Sequence, residues 1–210
     1  MPSNKTKAIL LGYSGHGFVV SEAASLTGIQ ILGYTDYEEV RINPCNLDYL
    51  GYENNPNFNW AKCNLYLLGV GSNAIRKRIA LSVEKAGGKC MTLVHPNSSL
   101  ASTVVIGEGS FVARNVAINP LVKIGNNVIL NTSCTIDHEC IIGNNVHIAP
   151  GAVLAGNVIV HDGAFIGANA VVKQGVTIGR NTTVGAGSVV LEDVEENQVV
   201  VGNPAKILTR

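Results

Sequence analysis

The chain has 210 residues, a formal net charge of zero and a pI near 6.9, so its length allows one or two domains. No basic stripe points to nucleic acid or an anionic membrane, and no stretch is long and apolar enough to span a bilayer. Met1 to Lys7 is polar, without the apolar core of a signal peptide, so the expectation is a soluble, cytoplasmic protein. Five cysteines, an odd number, show neither a disulfide framework nor metal-ligand spacing.

Ala8 to Leu11 is a short apolar run followed by Gly12-Tyr13-Ser14-Gly15-His16-Gly17. The next segment, FVVSEAASLTG, carries apolar residues at helical spacing and stops at Gly28. A strand from Ile29 to Tyr34 leads to Asp36. Strand, glycine turn, helix and strand open a Rossmann-like unit. Such a turn brings backbone N–H groups at a helix N-terminus within reach of a phosphate. Asp36, at the end of the second strand, is placed to accept hydrogen bonds from a base or sugar edge. The loop reads G-x-x-G-x-G, not G-x-G-x-x-G, which argues against a nicotinamide cofactor. Taken alone, it fits a tight turn without a ligand equally well.

Residues 41–60 are polar, rich in Asn and irregular, and read as a loop over the edge of this unit. A third strand, Leu65 to Leu68, runs into Gly69-Val70-Gly71-Ser72-Asn73, where Ser72 or Asn73 can cap a helix from Ala74 to Ala86. This turn lies at the same end of the sheet as the first one, the carboxyl end, where open parallel sheets bind ligands. Gly87-Gly88 ends the helix, Met91 to Val94 forms the last strand, and His95-Pro96 passes the chain onward. The expected domains are 1–95, α/β and Rossmann-like, and 96–210.

From Val94 to Val190 every sixth residue is Val, Ile or Leu. Neither a helix nor a plain strand has this period, so the repeat decides the fold. Two residues before most of these aliphatics sits a slim residue such as Val128, Cys134, Cys140 or Ala152, on the same inward side by strand alternation. Three residues after most of them comes Gly or Asn, tolerant of positive φ at a corner. One strand and one corner per six residues close a three-sided coil of 18, stacked about 4.8 Å apart as a parallel β-helix.

The corner rule fails in the middle, at Leu121, Ser133 and Glu139. A repeat that gives up its preferred residue marks a functional site, here around Asn131, Asp137, His138 and Glu139. His138 falls on a corner, facing outward between two carboxylates, where it is poised to act as a general base or merely decorates a solvated corner; either Asp137 or Glu139 could orient its ring. Gly156 stacks on the same corner and leaves room beside it. His147 points out from the middle of a face, half a coil away from His138, so one chain cannot bring both to one site. Ala168 and Ala186 stack on one corner, where small residues either avoid crowding or leave backbone open to a long ligand lying along the axis. The spacing of His138, His147 and His161 does not group them, so no metal is expected.

The repeat resembles the hexapeptide-repeat acyltransferases, which implies that the β-helix is left-handed. Across nearly the full chain, GYSGHG at 12–17, Asp36, GVGSN at 69–73, His95-Pro96, IDHE at 136–139 and GNPAK at 202–206 resemble the bacterial 4-amino-sugar N-acetyltransferases and the sialic acid O-acetyltransferases. The resemblance implies substrate contacts from Ser14, Gly15, His16 and Gly71, with Asp36 on the nucleotide. It implies His138 as general base supported by Glu139, with Asn131 and Asp137 as further support. Acetyl-CoA would lie along His147, Gly156, Ala168 and Ala186, between the subunits of a homotrimer. The implied activity is acetylation of the 4-amino group of a UDP- or dTDP-linked 4-amino-4,6-dideoxysugar for a surface glycan. Sialic acid O-acetylation and a non-catalytic sugar-binding β-helix are the alternatives.

Overall fold

The computed structural model describes residues 6–209, so most of the polar start Met1 to Lys7 lies outside the described residues. The first part comprises β1 (Lys7–Leu11), α1 (Gly15–Leu26), β2 (Gln30–Thr35), β3 (Leu65–Leu68), α2 (Asn73–Lys85) and β4 (Lys89–Cys90). The strands form one parallel sheet in the order β2-β1-β3-β4. Alternation along β1 splits its side chains between two layers. Ala8 and Leu10 pack with Val20 and Ala23 of α1, and Ile9 and Leu11 pack with Ile79 and Val83 of α2. Residues 41–60 are irregular, as expected, and run beside β2: Tyr34 N donates to Asp48 O at 2.9 Å and Leu50 N donates to Tyr34 O at 2.8 Å.

Two boundaries differ from the sequence expectation. Gly15, His16 and Gly17 are helical, so α1 starts inside the glycine motif and not at Phe18. Close packing explains it: a Cβ on Gly17 would come 2.6 Å from Gly12 O, and one on Gly69 would come 2.0 Å from the same atom. Those glycines let the ends of β1 and β3 meet the first turn of α1. The expected last strand of the α/β unit, Met91–Val94, is not the one observed: the last strand of that sheet starts two residues earlier and the coil begins in its place. Lys89–Cys90 joins β3, whereas Leu93–Val94 pairs with Phe111–Val112. Leu93 N and His95 N already donate to Ser110 O and Val112 O, so the coil's ladder starts ahead of residue 96.

The rest is a three-sided parallel β-helix. Its first face carries Leu93–Val94, Phe111–Val112, Ile129–Leu130, His147–Ile148, Phe165–Ile166 and Thr183–Val184. The second face begins at Ser99–Leu100 and ends at Val189–Val190, and the third runs from Val105–Ile106 to Thr177–Ile178. Partners are 18 residues apart, as in Ile129↔His147 and Ile136↔Leu154. From Val112 to Val190 every aliphatic of the six-residue beat is buried, together with Cys134 and Cys140. Asn and Gly corners such as Asn127, Asn145 and Gly163 have positive φ. Val199–Val201 extends the first face, and Lys206–Ile207 folds back antiparallel on it, covering an edge that would otherwise be open.

The α/β unit sits on the first face and on the corner between the third and first faces. Arg76 of α2 fastens it there. Its side chain is fully buried, and its Nε donates to Asn127 O at 2.8 Å. One terminal nitrogen donates to Val70 O and Gly71 O, and the other to Asn73 Oδ1, Asn145 O and Val146 O. Among the described residues no carboxylate pairs with it; backbone carbonyl dipoles from both parts of the chain hold the charge. Burial pulls Arg76 down to about 10, still cationic at neutral pH. Asn73 adds bonds to Gly163 O and Ala164 O, both at 3.0 Å, and Glu22 of α1 pairs with Arg114.

Arg76→Met keeps the bulk of the stem but strands these carbonyls in the seam. Urea unfolding is expected to show a loss on the order of 3 kcal/mol. Arg76→Lys, with a single nitrogen, is expected to recover less than half of that loss.

Candidate functional site

On the corner between the second and third faces, His138 and Glu139 stand half-exposed, with His138 Nδ1 3.0 Å from Glu139 Oε2. Asp137 is otherwise engaged. Its Oδ1 accepts from Asn119 Nδ2 at 2.6 Å and from the His138 backbone N–H at 2.8 Å. The Asn119 bond, then the backbone bond, hold its carboxyl below the usual range. The geometry therefore answers which carboxylate faces the imidazole: it is Glu139. With Nδ1–H donated to Glu139, the Nε2 lone pair is left for an incoming proton.

Glu139 reaches this position at a conformational cost. Its φ is 61°, and Leu121 and Ser133 have φ of 66° and 59°, so the corners keep their left-handed shape without the residues that favour it. Such a φ costs an ordinary side chain about 1–2 kcal/mol. Gly156 lies directly against the ring: a Cβ there would fall 2.5 Å from His138 Cε1 and Nε2. The site needs glycine at 156 for space beside the imidazole.

His147 shows a departure from the sequence reading. It points outward from the first face, but the α/β unit covers it and it is only 8% exposed. Its Nδ1 lies 3.2 Å from Gly71 O and its Nε2 lies 3.2 Å from Asn131 Nδ2. These partners assign the proton to Nδ1, with Nε2 accepting from the amide. Asn131, expected near His138, instead supports His147, because it leaves the first face while His138 follows the second. His16 lies next to this group, with its ring centroid 6.3 Å from that of His147 and 5.5 Å from that of Phe111. Burial, followed by His147 and then Arg76, pushes His16 down to about 3; burial pushes His147 down to about 4. Both rings are neutral at pH 7. His16 Nε2 is buried without a protein partner among the described residues.

The remaining predicted residues divide between two places. Ser14 and Gly15 are exposed at the start of α1, and a Cβ on Gly15 would meet nothing within 4 Å. Asp36 Oδ2 accepts from Tyr13 N at 2.9 Å and Oδ1 from Tyr37 N at 2.8 Å, tying β2 to the glycine motif. A cavity of about 240 Å³ opens there, lined by Gly12, Ser14 and Asp36, and also by Glu53 and Arg78, which the sequence reading did not single out. Ala168 and Ala186 stack on the corner between the first and second faces, where Gly187 N donates to Ala168 O at 2.8 Å. Within one chain, His138 stands on the corner opposite the face that carries the α/β unit. His138, His147 and His161 occupy different corners and faces. Among the described residues no group of three His, Cys, Asp or Glu side chains gathers as metal ligands would.

Family comparisons match both parts of the chain. Residues 7–83 match the PglD N-terminal domain, and residues 121–156 and 157–192 match the bacterial transferase hexapeptide repeats. No curated protein matches the chain significantly. Among solved structures, the acetyltransferase domain of PglB from Neisseria gonorrhoeae is 32% identical, with 96% of this chain and 99% of that one covered and a TM-score of 0.88. PerB from Caulobacter crescentus, solved with CoA and GDP-perosamine, is 30% identical over 99% of both chains, with a TM-score of 0.90. WeeI from Acinetobacter baumannii is 28% identical, covering 97% of this chain and 100% of that one, with a TM-score of 0.85.

Glu139→Gly is expected to relieve the corner and raise stability by about 1 kcal/mol in urea titration. Gly156→Ala is expected to leave stability within about 1 kcal/mol, because the half-exposed His138 ring can swing aside; a crystal structure should then show the ring out of reach of Glu139.

Proposed function

Because the chain belongs to the hexapeptide-repeat sugar N-acetyltransferases with a PglD-type N-terminal domain, we propose that it acetylates the amine of a nucleotide-linked 4-amino-4,6-dideoxysugar, with acetyl-CoA as donor. The observation that carries this reading is the His138–Glu139 pair, with its Nε2 unencumbered and Gly156 leaving space beside it. The product would serve a bacterial surface glycan. UDP and dTDP are the carriers that the sequence resemblance favours, and the GDP-perosamine complex of PerB adds GDP.

In this mechanism the amine lone pair attacks the thioester carbonyl and a C–N bond forms. His138 Nε2 takes the proton from the attacking nitrogen, and Glu139 stabilises the imidazolium through Nδ1–H. Collapse of the tetrahedral intermediate breaks the C–S bond, and the imidazolium returns its proton to the CoA sulfur. Transfer is direct. Cys134 and Cys140 face the core, and burial pushes both thiols up, Cys134 to about 12, so neither supplies a thiolate nucleophile. The His147 N–H is committed to Gly71 O, which leaves a backbone N–H as the better candidate for steadying the oxyanion.

The active site would form between subunits of a homotrimer. The α/β unit and His138 lie on opposite sides of one coil, so a sugar held by one subunit would meet His138 of a neighbour. Acetyl-CoA would run along the groove between neighbouring coils, past Gly156, Ala168 and Ala186; His147, buried in the seam, would act from beneath the α/β unit. On this reading the enzyme would act in the cytoplasm.

Thiol release from acetyl-CoA is expected with at least one nucleotide-linked 4-amino-sugar. His138→Ala should lower kcat by about 100-fold or more, and Glu139→Gly, despite its added stability, should lower it as well. Turnover with sialic acid alone would contradict this reading.

A further inference from the structure

The cavity of the α/β unit holds two carboxylates in different situations. Asp36 spends one hydrogen bond at each oxygen on the backbone. Glu53 comes from the irregular stretch beside β2 and is only 7% exposed. Its Oε2 accepts from the Thr35 hydroxyl at 3.1 Å, and no other hydrogen bond holds the carboxylate among the described residues. A buried carboxylate with so little support has acceptor capacity waiting for a donor. Arg78 lines the same cavity, is exposed, and forms no ion pair among the described residues. At the cavity's rim Tyr37 is 78% exposed, its ring 5.6 Å from that of Tyr52, and Ile75 adds apolar surface. An aromatic plate, an apolar patch, a buried acceptor pair and a free guanidinium together make a site for a flat heterocycle with adjacent donors and an acceptor.

We propose that Glu53 reads the nucleobase and that the carrier is a guanine nucleotide. This rests on the nucleotide-sugar reading above for the location of the nucleotide. Guanine presents O6, N1–H and N2–H2 along one edge, which is acceptor, donor, donor. Two carboxylate oxygens match the adjacent donors, and a guanidinium suits O6 or N7. Uracil and thymine present acceptor, donor, acceptor, so Glu53 would gain one bond and face the O2 lone pairs. Adenine and cytosine offer an amino group but no neighbouring ring N–H. Tyr37 supplies the stacking face, which any base can use, so the discrimination falls to Glu53.

Calorimetric titration of the full chain with GDP, IDP, UDP, dTDP, ADP and CDP, without acetyl-CoA, tests this. GDP is expected to bind on the order of tenfold or more tighter than UDP, with IDP, which lacks the 2-amino group, weaker than GDP. Glu53→Gln, shown folded by circular dichroism, should weaken GDP by a similar factor and leave UDP nearly unchanged. UDP or dTDP binding as tightly as GDP would overturn the assignment. So would the absence of nucleotide binding, or an equal loss for every ribonucleotide in Glu53→Gln, which would place the carboxylate on the ribose. Thiol release is scored separately with GDP- and UDP-linked amino-sugars. Turnover with the UDP sugar alone sinks the guanine assignment and spares acetyl transfer; tight, Glu53-dependent GDP binding without turnover of any amino-sugar spares the assignment and sinks acetyl transfer.

Discussion

Backbone hydrogen bonds between strands whose partner residues lie 18 apart set the direction of every side chain in the second half of the molecule. Once that register is closed, position in the repeat decides which way a residue faces. His138 must stand on the corner between the second and third faces, and His147 on the first face. A shift of one residue would turn the buried aliphatics outward, and the apolar core forbids it. The functional geometry thus inherits its rigidity from the least specific part of the sequence. Only the corners have latitude, and there Leu121, Ser133 and Glu139 accept a left-handed backbone that Asn or Gly would adopt more readily. At Glu139 that strained backbone places a carboxylate against His138.

The second constraint is the seam. Arg76 carries a full charge into a dry interface and meets backbone carbonyls there, not acids. Carbonyls have fixed positions on the coil, so the guanidinium fork fixes where α2 can sit. His147, neutral and bonded to both Gly71 and Asn131, reads the same placement. The glycine turn after β3 is thereby coupled to the β-helix face, and the cavity that holds Asp36 and Glu53 is oriented relative to the coil. Packing, desolvation and site geometry are linked through a few atoms.

The coil was legible in the sequence because its period appears in residue type: aliphatics inside, Asn and Gly at corners. The α/β unit was legible from its alternation of apolar runs and glycine turns, with Ser72 at the start of α2. His138 stands out because it lies beside Glu139, one of the three mid-coil corners where the Gly or Asn rule fails. Four features left no such trace. The coil carbonyls that receive Arg76 belong to Asn127, Asn145 and Val146, whose side chains say nothing about that bond. His147 read as an open outward residue because no repeat phase records what packs on a face. Asn131 was grouped with His138 by nearness in sequence, although the turn of the coil sends the two to different corners. Glu53 lay in a polar, aperiodic stretch where a buried acid has no distinguishing neighbours; only its burial in the cavity wall singles it out.

If the site is built by two subunits, it can be assembled from two damaged ones. His138→Ala would lack the proposed base; Ile75→Trp would fill the cavity of the α/β unit, proposed to take the nucleotide, from an exposed position on its wall. Each variant alone should be close to inactive. Co-folding the two and measuring thiol release is the most direct test, because mixed trimers regain sites that pair an intact cavity with an intact His138. Recovery to a substantial fraction of wild-type turnover is expected. A mixture no more active than its two components would mean that each subunit carries out the reaction alone, and would contradict the shared site.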